Sequence, residues 1–365
     1  MIMLILTVFF TSGCWDSKDI EQKDIHISET IDFKNNQYVY YGEVANLSGE
    51  KAGSGSSDKK EQSGSVHIIS AEGDTFIDAR NNLEQKSSKT VYLGACRLLI
   101  FTHRLADKSL EEYLNRSRFQ TDSRKSLKVV TTSAEPESLL ATDTDNSLSV
   151  GLAIDDSLEK MIQDGTAISV DIGNVIEILA VKKAGFIIPD INMSKSRPTI
   201  TGYTVFKDTK IQGVIPIEQS NGIVFFLNPK AAAFYEIDFE GRKYILKASV
   251  KNKSITPSYQ DSKLKLSVTM KFTAEIQYAD KATVINKETL QGLQVLLADF
   301  IKKDIVQTLQ VSQKQYQTDY LNIYKYFRAK YNSDFKNLDW QQLYASSETS
   351  VSVNASIKTS KLPIK

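Results

Sequence analysis

The segment KLKLSVTMKFTAEIQYA, residues 263–279, alternates apolar and polar side chains along its length. The apolar set predicts a β-strand with one buried and one wet face, and consists of Leu264, Leu266, Val268, Met270 and Phe272. Residues 287–316 place apolar side chains at helical spacing instead, which predicts a long amphipathic helix. Its predicted buried side consists of Leu290, Leu293, Leu297, Phe300, Ile301, Ile305 and Leu309.

The sequence on either side of this strand and helix fits the same two layers. Residues 234–259 have strand-like composition, and residues 318–332 continue the helical pattern. Near the end of the chain, apolar residues alternate with polar ones at Val351, Val353, Ala355 and Ile357. We therefore expect a C-terminal domain, residues 232–365, in which an antiparallel sheet packs on the long helix.

The first third of the chain has a different order of elements. Strand patterns at 38–46, 66–73, 91–101 and 126–134 are interleaved with helical patterns at 73–86 and 105–119. In the first helix Phe76, Ala79 and Leu83 form the apolar stripe, and Asp74 or Thr75 can cap it. Strands that alternate with helices favour parallel pairing with right-handed crossovers. The sequence thus predicts an α/β domain over residues 14–135, with a mixed sheet and crossover helices.

Between these domains we expect a middle α+β domain, residues 136–231. It contains helical patterns at 149–165 and 169–185, a hairpin at 200–216 that turns at 207–209, and a strand at 222–229. The complete chain is then a three-domain α+β, or mixed α/β, protein. Residues 48–65 are rich in Gly, Ser and Lys and predict a flexible loop or long hairpin tip; a ligand flap is the alternative.

Composition excludes several classes of protein. A net charge of +1, with no basic run interleaved with aromatics, argues against a nucleic-acid partner. Two cysteines cannot form a disulfide framework, and Cys96 lies in an apolar run, where burial is expected and a reactive thiol is the alternative. The sequence contains no window of 18 apolar residues, so it predicts no transmembrane helix.

Residues that carry chemistry form no recognisable motif. The three histidines, His26, His67 and His103, lack the spacing of a metal pair, and no G-x-S-x-G elbow is present. His103 follows a predicted buried strand, where a satisfied structural role is expected. We therefore predict no catalytic residues, no metal and no cofactor, and the ligand-binding residues stay unassigned.

The N-terminus carries a distinct signal. Residues Ile2 to Phe10 are an apolar run, TSG follows, and then comes Cys14, after which the chain becomes charged. This order is typical of a lipoprotein signal peptide, residues 1–13, with S-diacylglycerol and N-acyl modification of Cys14. The leading residues lack Lys and Arg, and Thr11 stands where an apolar residue is common. A buried N-terminal strand with an incidental cysteine is the alternative.

Several motifs together resemble one known family. Cys14, Trp15 and Asp16 match its lipidation site, and GDTFIDARNNL (73–83) and LADKSLEEYLNRSRFQTDSR (105–124) match two further elements. GYTVFKDTKIQGVI (202–215), the long helix, Trp340 and the final alternating strand are also similar. The chain thus resembles, over nearly its whole length, the Ger(x)C family, the lipoprotein C subunits of spore nutrient germinant receptors in Bacillus and Clostridium relatives.

The resemblance implies a function that the motifs alone do not. A family member is non-catalytic, is lipidated on Cys14, and is held on the outer face of the spore inner membrane. It assembles with an integral-membrane A subunit and a transporter-like B subunit in a complex that responds to nutrients. Two other functions stay open: a solute-binding lipoprotein of a transporter, and a secreted hydrolase.

Overall fold

The computed structural model describes most of the chain. The described residues are 22–46, 66–87, 89–119, 124–144, 147–181, 183–194, 197–280 and 285–358. The predicted signal peptide, Cys14 and all of the predicted 48–65 loop lie outside the described residues, and the strand after the loop begins at Val66.

A nine-stranded mixed sheet forms the first layer. Its strands are β1 (Lys23–Lys34), β2 (Gln37–Ala45), β3 (Val66–Gly73), β4 (Thr90–Tyr92), β5 (Leu98–Thr102), β6 (Lys128–Thr132), β7 (Phe186–Ser194), β8 (Arg197–Lys207) and β9 (Lys210–Pro216). The order is β3-β2-β1-β5-β6-β7-β8-β9, with β4 beside the start of β1. Strands β1, β5, β6 and β7 pair in parallel, as the alternation of strands and helices predicted, and the outer strands pair antiparallel.

Helices cover both faces of this sheet. They are α1 (Phe76–Lys86), α2 (His103–Lys108), α3 (Glu111–Phe119), α4 (Pro136–Leu140), α5 (Val150–Gln163) and α6 (Ile172–Val181). Apolar residues of α1, α2, α3 and α6 join one core cluster, and those of α4 and α5 join another. The prediction for α1 is confirmed: Thr75 caps it in a capping box, and Phe76, Ala79 and Leu83 are buried.

Two predicted elements of the first layer are each divided in two. The predicted strand 91–101 is wrong as one element, because a turn at 93–97 separates β4 from β5, where the Cys96 N–H donates to the Leu93 carbonyl. The predicted helix 105–119 breaks between α2 and α3. There the Leu110 N–H donates to the Thr209 carbonyl, 2.9 Å away, instead of continuing the helix.

The predicted strand at 222–229 is also wrong, because these residues form helix α7 (Asn221–Leu227). Its core residues Ile223, Val224, Phe225 and Phe226 are all buried. A helix and a strand are told apart by the spacing of apolar and polar residues. A short run that is apolar throughout has no such spacing, so it does not distinguish the two.

A four-stranded sheet and a long helix form the C-terminal part. The strands are β10 (Ala232–Phe239), β11 (Arg242–Gln260), β12 (Lys263–Ala279) and β13 (Glu348–Ile357), and the helix is α8 (Lys287–Gln310). The first three strands are antiparallel as predicted, whereas β13 pairs parallel to β12. The predicted face of β12 is buried in full. Phe300 of α8 is 43% exposed and does not belong to the buried side predicted for it.

The chain after α8 leaves the helical path before three short helices. These are α9 (Ile323–Lys330), α10 (Asn332–Asn337) and α11 (Trp340–Ser346). Gln317 and Asn322 both have positive φ, which a continuous helix cannot accommodate, so the predicted helical run 318–332 begins only at Ile323.

The two sheets share one hydrophobic core. A single cluster contains Phe101 and Phe206 of the first sheet together with Phe272 and Leu297 of the C-terminal part. Strands β7 to β9, which the sequence assigned to the middle domain, extend the same sheet as β1 to β6. The mixed α/β class is confirmed, and the domain boundaries near 136 and 232 stay predictions.

Candidate functional site

The junction between the nine-stranded sheet and the C-terminal helices contains hydrogen bonds between the two parts, a fully buried carboxylate and a cavity. The Gly185 N–H, just before β7, donates to the carbonyl of Asp319 at 3.1 Å. Next to it, the Lys183 ammonium donates to the carbonyls of Lys336 at 3.0 Å and Leu338 at 2.8 Å. The start of β7 is therefore tied to the segment that joins α8 to α11.

Asp319 organises this segment from a fully buried position. Its carboxylate accepts the backbone N–H groups of Leu321, Ile323 and Tyr324, at 2.7 to 3.1 Å. It also accepts the indole N–H of Trp340 at 3.0 Å. Burial raises the pKa of Asp319 to about 6, and the donated hydrogen bonds oppose that rise. The side chain thus acts as the cap of α9 and fixes Trp340 beside it.

A cavity of about 210 Å³ lies at the same junction. It is enclosed by α6, by β7 and by residues 320–325. Apolar walls come from Ile178, Phe186 and Leu227. Asn322, held in the left-handed conformation, lines it too, and its buried Oδ1 accepts no hydrogen bond within the described part of the chain. The cavity therefore combines an apolar wall with an acceptor that no described residue donates to.

One ion pair stands at the rim of this cavity. The Lys325 ammonium is 3.5 Å from the Glu177 carboxylate, and both side chains are about half exposed or more. An exposed pair of this kind contributes little to stability. Its chemical capability is to present one positive and one negative group, side by side, to a small polar molecule.

A second polar cluster lies in the nine-stranded sheet around Asp190 of β7. Its Oδ1 accepts hydrogen bonds from His103 Nε2 at 2.6 Å, Thr131 Oγ1 at 3.0 Å and Thr204 Oγ1 at 3.2 Å. The hydroxyls bond the carboxylate, and in the described chain no hydroxyl bonds the imidazole. The arrangement cross-links β6, β7, β8 and α2, which agrees with the structural role predicted for His103, and it lacks the nucleophile–base contact of a hydrolase.

The other residues singled out by the sequence form no common site. His26 is completely buried on β1, whereas His67 is exposed on β3 and bonds Asn46; the two histidines lie in the same row of the sheet, with β2 between them. Cys96 is buried as predicted, and burial raises the pKa of its thiol. Cys14 lies outside the described residues, so its lipidation stays a prediction. Among the residues described, no cluster of three or more His, Cys, Asp or Glu side chains could hold a metal ion.

The junction was not found from the sequence. Asp319, Tyr320 and Asn322 stand in a stretch that has helical apolar spacing. The partners that tie Asp319 to other elements, Gly185 and Trp340, lie more than a hundred residues upstream and about twenty downstream. The one local signal is an acidic residue within an aromatic-rich run. None of the helices in the described part of the chain is long and apolar enough to cross a bilayer.

Comparison with known proteins covers almost the whole chain. Residues 16–193 match the family model "Spore germination protein N-terminal domain", and residues 201–361 match the model "Spore germination B3/ GerAC like, C-terminal". Together these two matches include every element described above except Ser194 of β7 and the first four residues of β8.

Two relatives from Bacillus subtilis (strain 168) and one solved structure are similar. "Putative spore germination protein YfkR" is 22% identical, over 86% of this chain and 83% of its own. Spore germination protein KC is 23% identical, over 72% of this chain and 68% of its own. The crystal structure of the GerBC protein superposes with a TM-score of 0.59 at 13% identity, and covers 90% of this chain and 96% of its own, which shows a shared fold.

Proposed function

The chain belongs to the spore germination protein family with GerAC-type N- and C-terminal domains, and from that premise we propose that it is a lipid-anchored, non-catalytic subunit of a nutrient germinant receptor. The observation that carries the proposal is the pair of consecutive family matches over residues 16–193 and 201–361. The body is then a receptor component that acts by binding and assembly.

The proposed anchor is Cys14. It follows the apolar run and the small residues that precede a lipoprotein cleavage site, and it stands at the start of a charged segment. Two or more acyl chains hold a protein on a bilayer far more firmly than one chain does. The proposed location is the outer face of the spore inner membrane.

The proposed partners are an integral-membrane A subunit and a transporter-like B subunit. Confinement to the membrane surface raises the effective concentration of the body near these partners, so modest contacts suffice for assembly. A nutrient that binds one state of the complex more tightly than another shifts the complex toward that state.

The cavity at the junction favours one alternative, a solute-binding lipoprotein of a transporter. Its apolar wall and the Glu177–Lys325 pair suit a small polar molecule. Against this alternative, the two sheets differ in size and topology, whereas a solute-binding protein closes two similar lobes around its ligand. A rise in melting temperature with one member of a small-molecule panel, lost in Asn322→Ala, is the result that favours the alternative.

The test of the leading proposal replaces Cys14 with Ala in a sporulating host from which other germinant receptors are deleted. Lipid labelling of the protein should vanish, and nutrient-triggered germination should slow. The matched control is Cys96→Ser, because Cys96 is the only other cysteine and is buried. In this control the protein should still be lipid-labelled at Cys14. Labelling that vanishes without any change in germination contradicts the receptor role, and a wild-type protein that is never labelled contradicts the anchor.

A further inference from the structure

Exposed basic residues gather at one edge of the nine-stranded sheet, where its parallel strands begin. We call this the amino-edge surface, and define it by the exposed residues Lys86, Lys89, Arg97, Arg118, Arg124 and Lys125 together with Tyr92 and Phe119. Lys89, Arg124 and Lys125 form no side-chain hydrogen bond or ion pair within the described ranges, so their charges face solvent.

The topology explains why these residues lie together. Helix α1 ends at this edge, because the Ser87 hydroxyl that follows it bonds Asp24 at the start of β1. Helix α3 starts at the opposite edge, because Glu112 in its first turn accepts the Phe76 N–H at the start of α1. Helix α3 therefore ends at the amino edge. Lys125 precedes β6, and its carbonyl accepts the Gly173 N–H of α6.

The opposite edge of the same sheet carries the opposite charge. Its exposed acidic residues are Asp74, Asp78, Glu111, Glu135 and Glu137. Of the cations there, Arg104 and Lys34 both pair with Glu135, and the Lys108 ammonium lies over the rings of two aromatic residues. On the amino edge, the carboxylates of Asp155 and Glu159 both form ion pairs with the Lys128 ammonium, each at 2.7 Å. The first sheet is therefore polarised, although the chain as a whole is almost neutral.

Aromatic side chains accompany the basic ones. Phe119 is 85% exposed at the end of α3, and Tyr92 is 40% exposed on β4, with the Lys23 ammonium 4.8 Å from its ring centre. Basic residues that surround exposed aromatic rings are typical of a surface that lies in the headgroup layer of a membrane.

The first strand described begins at this same edge. Strand β1 begins at Lys23, which pairs with Thr90 at the start of β4. Cys14 is nine residues before Lys23, so the proposed lipid can lie at most about 30 Å from the start of β1. The edge closest to the proposed anchor is the basic one.

We propose that the amino-edge surface rests on a bilayer of anionic phospholipid. The inference deepens the proposed function, because the anchor supplies proximity and the basic residues then orient the body with its acidic edge away from the membrane. A negatively charged leaflet attracts each nearby Lys or Arg within about a Debye length.

The test measures vesicle binding without any acyl chain. The chain from residue 14 onward, with Cys14→Ala, keeps every described residue and is mixed with phosphatidylcholine vesicles that contain either none or roughly one-third phosphatidylglycerol, in about 0.1 M salt. The variant is Lys89→Glu, Arg124→Glu, Lys125→Glu. The matched control is Lys263→Glu, Lys302→Glu, Lys303→Glu, three exposed lysines of the C-terminal part.

Binding should require phosphatidylglycerol, weaken with added salt, and fall at least about a hundredfold in the variant, since each basic residue contributes about fivefold and each introduced glutamate adds repulsion. The control should fall far less. Equal losses in variant and control, or vesicles of both compositions left unbound, overturn the proposal and leave this surface to a protein partner. Lipid labelling of wild-type Cys14 is read separately, so the anchor and the surface can fail independently.

Discussion

His26 is a buried histidine whose ring is pressed against a glycine. A Cβ on Gly42 would come within 2.4 Å of that ring, and neither ring nitrogen has a hydrogen-bond partner among the described residues. Burial lowers the pKa of His26 from 6.5 to about 4; Asp24 raises it, and Arg80 and His67 lower it. The unfolded chain therefore binds a proton between pH 6.5 and 4 that the folded chain does not.

We expect the free energy of unfolding to decrease as the pH falls from 6.5 to 4, by about 3 kcal/mol at most from this residue. His26→Leu should remove that part of the decrease, measured by urea unfolding at several pH values. The matched control is His67→Leu, at an exposed position; because His67 contributes least to the lowered pKa of His26, this variant should keep nearly all of the wild-type slope. Equal slopes in His26→Leu and wild type would mean that Glu29, 3.8 Å away, stabilises the protonated ring in the folded chain.

Buried polar side chains mark the limit of what the sequence could predict. Glu43 lies in a run that was correctly predicted as a strand, but its carboxylate accepts the Val150 and Gly151 N–H groups at the start of α5. A Cβ on Gly151 would overlap both Ser28 and that carboxylate. These partners are more than a hundred residues apart in the chain, and a sequence pattern carries no information on which distant helix end a carboxylate will reach.

Helix α7 is stabilised by a lysine from another element. Lys253 of β11 donates from its ammonium to the carbonyls of Phe226 and, at 3.3 Å, Phe225, in the last turn of α7. Burial lowers the pKa of this ammonium. The charge lies where the helix dipole is negative and where two carbonyls have no helical partner.

Lys253→Met keeps the aliphatic stem and removes the charge. We expect the free energy of unfolding to fall by about 1–3 kcal/mol, because two buried carbonyls lose their donor. The measurement is urea unfolding, with Lys251→Met, at an exposed position on the same strand, as the control that should change by no more than about 0.5 kcal/mol. A variant as stable as the control would mean that burying the ammonium costs as much as its hydrogen bonds contribute.

Helices and strands were predictable where one face meets water. The period of β12 and of α8 identified both elements and nearly all of their buried residues, since alternation and helical spacing are read from the sequence directly. The prediction failed for α7, which is buried all round, and for residues 316–322, where Asp319 and positive φ values interrupt a helical pattern. In both places tertiary contacts, and not local preference, set the backbone.

In the described part of the chain, two unlike sheets share one hydrophobic core and are joined by hydrogen bonds at several points. The Ala232 N–H donates to the Gly165 carbonyl at 2.8 Å, and Lys183 and Gly185 bond the segment after α8. For a receptor subunit this matters, because a force or ligand acting on one sheet is transmitted to the other only if the junction holds.

The two sheets should therefore unfold together. With Trp15→Phe, Trp340 is the one tryptophan left, and its fluorescence reports the junction while far-ultraviolet circular dichroism reports all helices and strands. We expect the two signals to give the same urea midpoint, as a cooperative transition requires. Lys183→Met should lower both midpoints equally, whereas the exposed Lys207→Met should lower neither. If Trp340 fluorescence changes at lower urea than the circular dichroism does, the C-terminal helices separate first and the domains predicted from the sequence are independent folding units.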